Sequence, residues 1–319
     1  MIVTVTLNPA VDKIYWVEGL KICNATEEEF LTRAYASATS AGGKGVNMSV
    51  FLSLMGMESV AMGFVGGYSG HVLVRDLRDK GVTTNFVWTR AETRTNVAVL
   101  EKGRTTVPIF IDEAGSSIDS TEMDRFLRRY RRMLARCSWV VLAGSLPPGV
   151  DIGAYRELAK LAREAGVKVV LSAGGEALSE GLKGSPHIVK PDTREQRRVQ
   201  GKDVVTRESI VEAGRQIVAH GGADLVIISH EVTGDVAVAK DAVLEIKSEV
   251  PMAELKNLVG ADDIFLAGIL FKLVQDEPLE QALRFGLAAG LASAETEEKI
   301  CRDLARIESE MERVSVKQI

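Results

Sequence analysis

Asn257-Leu258-Val259-Gly260-Ala261-Asp262-Asp263-Ile264-Phe265, continuing as Leu266-Ala267-Gly268-Ile269-Leu270, sets a Gly-Ala pair and two carboxylates directly before an apolar helical run. The first amides of a helix lack intrahelical partners, and the aligned peptide dipoles add partial positive charge there. Such a terminus receives anions, and a carboxylate inside it can act as a base on a group about to react with the anion. The same residues also suit a plain helix start, because aspartate is a strong N-cap. Taken alone, the stretch leaves both readings open.

Upstream of it, β-α alternation is regular from residue 119 onward. A helix over 121–135 precedes a strand over 139–142 and the turn Ala143-Gly144-Ser145-Leu146-Pro147-Pro148-Gly149. A helix over 152–165 stops at Gly166, and a strand over 168–171 runs into Ser172-Ala173-Gly174-Gly175. After a further helix and a strand over 187–189, Asp192-Thr193-Arg194-Glu195 is expected to open the next helix. Asp192 and Glu195 stand three apart, a pair that can meet a metal ion or serve as a cap with an acidic first turn. A helix over 207–219 and a strand over 225–229 lead to His230-Glu231-Val232-Thr233-Gly234, and 235–239 with 243–246 read as a hairpin. Helical patterns over 279–294 and 303–314 close the chain.

The first third is different. Residues 2–7 read as a buried strand ended by Asn8-Pro9, with Asp12 just beyond, where open α/β sheets present ligand groups. Residues 15–17 and 28–33 are strand-like without a helix between them, so they belong to a small sheet outside the main layer. Ala41-Gly42-Gly43-Lys44-Gly45-Val46-Asn47 then opens a helical run to Leu54. Its glycines let backbone approach a ligand and Lys44 adds a point charge, or the segment is a tight turn into a helix. It lacks the spacing and the Lys-Ser/Thr ending of a Walker A loop. Residues 59–65 read as a strand, 66–70 as a loop, 72–80 as a helix and 86–88 as a strand. Residues 96–101 and 104–110 alternate about Lys102-Gly103 as a hairpin. Arg94 at the root of that hairpin suits bidentate binding of a phosphate or carboxylate.

Composition narrows the class. The 319 residues carry a net charge of -5 with 46% apolar content, and the pI is about 5.6. Disorder and a nucleic-acid-binding surface are therefore not expected. The local run Arg128, Arg129, Arg131 and Arg132 reads as a solvated helix face. Cys23, Cys137 and Cys301 are too few and scattered for a disulfide framework, and the four histidines show no zinc or triad spacing. No basic leader precedes Asn8-Pro9, and no apolar run approaches the roughly 20 residues of a membrane span. The expectation is a cytoplasmic protein with neither membrane nor nucleic-acid partner.

Together, Thr6-Leu7-Asn8-Pro9-Ala10-Val11-Asp12-Lys13, Gly42-Gly43-Lys44-Gly45-Val46-Asn47, Glu92-Thr93-Arg94-Thr95-Asn96 and Gly144-Ser145-Leu146-Pro147-Pro148-Gly149 resemble the ribokinase-like (PfkB) carbohydrate kinase family. The resemblance is closest to its branch acting on phosphorylated hexoses, the 1-phosphofructokinases and tagatose-6-phosphate kinases. It covers nearly the whole chain and thins after about Glu297. It implies one ribokinase-like α/β domain over 1–319, with a doubly wound, mostly parallel sheet, helices on both faces, and a small β lid from about 13–34 and 92–110. The lid would also serve as a possible homodimer contact. The implied substrates are a sugar phosphate and ATP, with Mg²⁺ as cofactor. Asp12, Gly42, Gly43, Lys44 and Asn47 would hold the sugar, with Lys44, Arg94 and Ser145 near its phosphate. Asp263 matches the family's catalytic base, and Gly260 with Ala261 its anion hole. Lys190, Ser229, Glu231 and Gly234 would face the nucleotide, and Asp192 with Glu195 would position the metal.

The donor side departs from the family pattern. Asp262 stands where the anion hole has glycine, and Glu231 replaces the glycine of a Ser-Leu-Gly turn. Ser172 stands in a segment that usually carries aspartate, and a Gly-Thr expected on the adenine side is replaced around Glu298-Lys299. Three readings follow: an ATP-dependent sugar-phosphate kinase with an unusual donor site, a catalytically weakened sugar-phosphate-binding protein, and a kinase with a donor other than ATP.

Overall fold

Every residue from Ile2 to Thr6 is buried, as a central parallel strand covered on both faces requires. A computed structural model describes residues 1–20, 31–103, 109–194, 196–231 and 233–319. In it the strand Ile2–Thr6 pairs in parallel with Ser59–Gly66 on one side and Trp139–Ala143 on the other. Lys168–Ser172, Ile188–Val189 and Leu225–Glu231 continue the parallel layer outward from Trp139–Ala143. The antiparallel strands Gly234–Ala239, Val243–Ser248 and Val314–Gln318 finish that edge.

Alternation along these strands divides the apolar residues between two cores. Ile2, Val141 and Val170 face one cluster, and Val3, Val5, Val140 and Val169 the other. The helices Lys44–Leu54, Ala261–Leu273 and Leu279–Ala294 cover the first face. Ser120–Leu134, Ala154–Glu164 and Arg207–Ala219 cover the second. The sheet is thus doubly wound, mostly parallel, with helices on both faces. Ala261–Leu273 is apolar nearly all round and buried from Asp263 to Phe271, as a helix sandwiched between layers must be. Its Gly268 lets the neighbouring helix approach closely, since a Cβ there would stand 2.9 Å from the Gly286 Cα.

A separate four-stranded sheet sits against this body in the order Ala34–Gly42, Ala10–Val17, Arg94–Glu101, Ile109–Asp112. Its buried face carries Ile14, Trp16, Ala98 and Leu100, and Val259 from the stretch before Gly260 packs against them. Among the described residues no helix is long and apolar enough to cross a membrane.

Several elements differ from the sequence expectation. No helix opens at Asp192; residues 190–194 run as irregular backbone toward the short ribbon Arg198–Val199 and Lys202–Asp203. Asp192 instead pairs with the distant Lys44, described below. Gly66-Gly67 is no loop, because Glu92 accepts from the amides of Tyr68 and Ser69 and lets a helix begin at Gly67. The second strand of the small sheet is Ala34–Gly42, whose small polar residues carry no apolar alternation. Of the strand expected over 28–33, residues 28–30 lie outside the described residues and 31–33 form no strand, the pairing with Ala10–Val17 beginning at Ala34; residues 104–108 of the strand expected over 104–110 also lie outside the described residues. The last helical pattern yields only Leu304–Glu310 and a 3₁₀ turn before the edge strand Val314–Gln318.

Candidate active site

The helix Ala261–Leu273 begins after Gly260, which takes a left-handed conformation (φ 82°) and carries no side-chain cap. Neither Asp262 nor Asp263 caps the helix, so the first amides are left without a side-chain acceptor. Asp263, buried, turns instead toward the helix Lys44–Leu54. Its Oδ2 accepts from Asn47 Nδ2 at 2.7 Å, and Lys44 Nζ lies 3.5 Å from its Oδ1. Lys44 follows Gly43, whose φ of 111° and crowding against Thr6 (a Cβ would meet its Cγ2 at 2.8 Å) require glycine. The Lys44 ammonium also reaches Asp192 Oδ2 at 3.1 Å, and Arg194 grips the same carboxylate through Nε at 3.0 Å and a terminal nitrogen at 2.8 Å. Burial opposes the Asp192 charge, but Lys44 and Arg194 outweigh it and hold the carboxyl well below its ordinary range.

These groups line one cavity of about 340 Å³ between the large sheet and the small one. Asp12, Gly43, Lys44, Asn47, Arg94, Ser145, Asp192, Gly260 and Asp263 all border it. Asp12 and Asn96 are register neighbours on adjacent strands, and Asn96 Nδ2 donates to Asp12 Oδ1 at 3.2 Å. Gly42 lies behind the Asp12 carboxylate, where a Cβ would come within 2.2 Å of it. Arg94 is tied to the two sheets' junction, donating to Asn8 O at 3.1 Å and Glu113 O at 2.7 Å. Burial lowers its guanidinium pKa, against the pull of Asp112, Asp12 and Glu113. Ser145 accepts from Asn8 Nδ2 at 3.1 Å. Two buried oxygens bordering the cavity, Thr6 Oγ1 and Asn96 Oδ1, have no hydrogen-bond partner among the described residues. A polar ligand with several hydroxyls would satisfy them.

A second group adjoins the helix start. Lys190, fully buried, donates to Ser229 Oγ at 2.7 Å and Asp235 Oδ1 at 3.0 Å, and pairs with Asp262 Oδ1 at 3.3 Å. Burial works against this ammonium, yet the two carboxylates outweigh it and raise its pKa above the ordinary lysine value. Burial likewise opposes the Asp262 charge, and Lys190, then Lys44 and Arg194, hold its carboxyl below the usual range. Asp262 itself stays half exposed. Glu231 and Gly234 stand apart from both groups at the hairpin, where Glu231 pairs with Lys247 at 3.5 Å. Glu195 lies outside the described residues. No cluster of three or more metal-ligating side chains occurs among the described residues.

Sequence reading missed Asn8, Asn96, Arg194, Asp235 and Lys299. Asn96 and Arg194 lay inside segments already singled out, and register or loop direction alone brings them to the cavity. Lys299, which stands about where the family pattern has Gly-Thr, bonds Asp12 through Nζ.

Known proteins bear on this arrangement. The family model of pfkB family carbohydrate kinases matches residues 14–301. The chain is 34% identical to a 1-phosphofructokinase of Bacillus subtilis (strain 168) over 298 residues, 93% of this chain and 94% of that one. It is 30% identical to a 1-phosphofructokinase of Borreliella burgdorferi over 294 residues, 92% of each. Among solved structures, a possible 1-phosphofructokinase of Thermotoga maritima superposes with a TM-score of 0.89 at 33% identity, covering 100% of this chain and 99% of that one. Escherichia coli phosphofructokinase-2, in complex with substrates and products, gives 0.84 at 25% identity and 98% of both. With several separate motifs, the fold and the cavity all in agreement, the chain belongs to the pfkB family of carbohydrate kinases.

Proposed function

We propose that the protein transfers the γ-phosphate of ATP to a hydroxyl of a phosphorylated hexose of the fructose 1-phosphate, fructose 6-phosphate or tagatose 6-phosphate class. The observation that carries this reading is the placement of Asp263. It stands at an uncapped helix N-terminus, held by Asn47 and beside Lys44, in a cavity whose far wall is Asp12 and Arg94. Phosphoryl transfer demands alignment, neutralisation of the moving charge and acceptance of one proton. Asp12, Asn96 and Asn47 offer acceptors and donors to sugar hydroxyls. Arg94 and Lys44 supply the cations for the sugar's own phosphate, with Ser145 beside them. Asp263 takes the proton from the attacking hydroxyl as general base. The amides at Gly260 and Ala261 receive the transferring group, with Lys190, Ser229, Glu231 and Gly234 on the nucleotide side.

The hard oxygen donors of Asp192 suit Mg²⁺, with Glu195 as a further carboxylate nearby in sequence. Its pairing with Lys44 and Arg194 fits an ion carried in on the nucleotide rather than one resident in the protein. Bound there, the ion would neutralise charge on the donor phosphates. The whole chain acts as one α/β domain, with the small sheet as a lid that excludes competing water. Exposed Ile109 and Ile111 beside Val99 and Val97 on that sheet form the face of a homodimer. The cytoplasm is its compartment.

Phosphorylation of these three hexose phosphates with ATP and Mg²⁺ tests the reading. Wild type is expected to turn over at least one of them, and Asp263→Asn to lower kcat by roughly 10³-fold with sugar-phosphate affinity kept within a few-fold. Near wild-type turnover in that variant would make Asp263 a structural residue.

A further inference from the structure

Lys299 comes from the irregular segment after the helix Leu279–Ala294, far in sequence from the groups that line the cavity. That segment is fastened to the body by its backbone. The amides of Lys256 and Asn257 donate to Ala294 O at 2.7 and 2.9 Å, Asn257 Nδ2 to Glu297 O at 3.2 Å, and Cys301 N bonds Ser293 Oγ at 3.0 Å. From this fixed base the Lys299 side chain, 9% exposed, reaches Asp12 Oδ2 on the small sheet. Its stem runs past the start of the catalytic helix, since a Cβ at Gly260 would stand 3.2 Å from Lys299 Cε.

The charges around the cavity give this contact a chemical meaning. Its border carries five carboxylates, Asp12, Asp112, Glu113, Asp192 and Asp263, against four cations, Lys13, Lys44, Arg94 and Arg194. Asp192 already engages Lys44 and Arg194, so these two are only partly available to a ligand. An uncompensated Asp12 would then repel an anionic sugar while accepting a neutral one. Lys299 supplies the missing charge. It also fixes the carboxylate's direction, because Asn96 holds the other oxygen and Gly42 stands behind.

We propose that Lys299 is a specificity-determining residue: by neutralising and orienting Asp12, it lets the pocket take a phosphorylated hexose in preference to a free one. This rests on the sugar-phosphate kinase reading. Lys299 itself borders a smaller cavity of about 170 Å³, beside Ile14 and Trp16. A purely structural role as a strut between body and small sheet is the alternative.

The experiment compares hexose phosphate, the matching free hexose and ATP for wild type, Lys299→Met, Lys299→Arg and the double variant Lys299→Met with Asp12→Asn. Lys299→Met is expected to raise KM for the hexose phosphate at least tenfold, with KM for free hexose and ATP changed less than threefold. Lys299→Arg should recover most of the loss. The double variant should be no worse toward the hexose phosphate than Lys299→Met alone, because the exposed charge is gone. Equal losses for all three ligands, or no loss, would overturn the proposal in favour of the strut. Equilibrium binding of the hexose phosphate and free hexose to the same variants reads the preference without turnover. Wild type that binds hexose phosphate but does not phosphorylate it would sink the kinase reading alone, and the affinity ratio in Lys299→Met would still decide the role of Lys299. Wild type that binds neither would overturn both.

Discussion

At the scale of single residues, the chemistry turns on how each carboxylate is compensated. Asp263 has Asn47 and Lys44, Asp192 has Lys44 and Arg194, Asp12 has Asn96 and Lys299, and Asp262 has Lys190. Asp262 is the least sheltered of the four. Two like charges at about 4 Å repel by roughly 4 kcal/mol at an effective dielectric near 20, less where solvent or a lysine intervenes. Since Lys190 already engages Asp262, the residual penalty on donor phosphates should be smaller, on the order of 1.4 kcal/mol or tenfold in affinity. Asp262→Gly is therefore expected to tighten ATP binding about tenfold and raise kcat. It also releases Lys190 from one acceptor, while Ser229 and Asp235 keep it in place. ATP affinity and turnover across a Mg²⁺ titration provide the measurement. Unchanged values at every Mg²⁺ level would mean that Asp262 does not face the donor. Glu231, paired with Lys247 at the hairpin, is expected to add little.

At the scale of elements, the segment carrying Asp192 and Arg194 does the work expected of a helix start without forming one. Two cations join the Arg194 amide, which donates at 3.2 Å, as partners for the carboxylate, and no helical turn forms there. The consequence is a pH dependence with a definite sign. A carboxyl held below its unfolded value near 3.9 contributes stability that is fully present above that pH and is lost as pH falls through the folded value. Asp192→Asn should thus be less stable than wild type by on the order of 1–3 kcal/mol at pH 7. The gap should close as the pH is lowered below about 4. Urea unfolding of both proteins between pH 3 and 7 measures it. A gap that does not vary with pH would show that the Asp192 charge contributes nothing and that shape alone matters.

At the scale of the whole molecule, the cavity exists only because two sheets meet. The large sheet brings Ser145 and Asp192 to one end, and the small sheet brings Asp12, Arg94, Asn96 and, just past its strand Ala34–Gly42, the Gly43-Lys44 turn. Val259 packs into the small sheet's apolar face, so the stretch leading to Gly260 is part of that junction. The opposite face of the small sheet exposes Ile109 and Ile111, in register with Val99 and Val97. We propose that this apolar strip is a contact surface. If it joins two copies of the chain, Ile111→Lys should convert a dimer to a monomer. Light scattering after gel filtration distinguishes the two states. A wild type that is monomeric across the micromolar range would remove the dimer proposal.

Sequence by itself determined the alternation of strands and helices after residue 119, the buried first strand and the apolar helix that starts at Gly260. Each is a local pattern: period, run length and punctuation by glycine or proline. It also marked Asp12, Lys44, Arg94, Asp192 and Asp263, because close-approach glycines and charged residues at element ends are written locally, while Asn47 and Ser145 were implied by the family resemblance alone. Only the tertiary structure decided what those residues face. Asp262 and Asp263 look alike in the chain, yet one turns to Lys190 and the other to Asn47, because successive residues on a helix point about 100° apart. The strand Ala34–Gly42 escaped notice because its small polar residues gain their place by pairing with Ala10–Val17 rather than by apolar alternation. Lys299 and Asp12 are 287 residues apart. No periodicity spans that distance, and their contact follows only from the way the closing segment folds back across the start of the helix Ala261–Leu273.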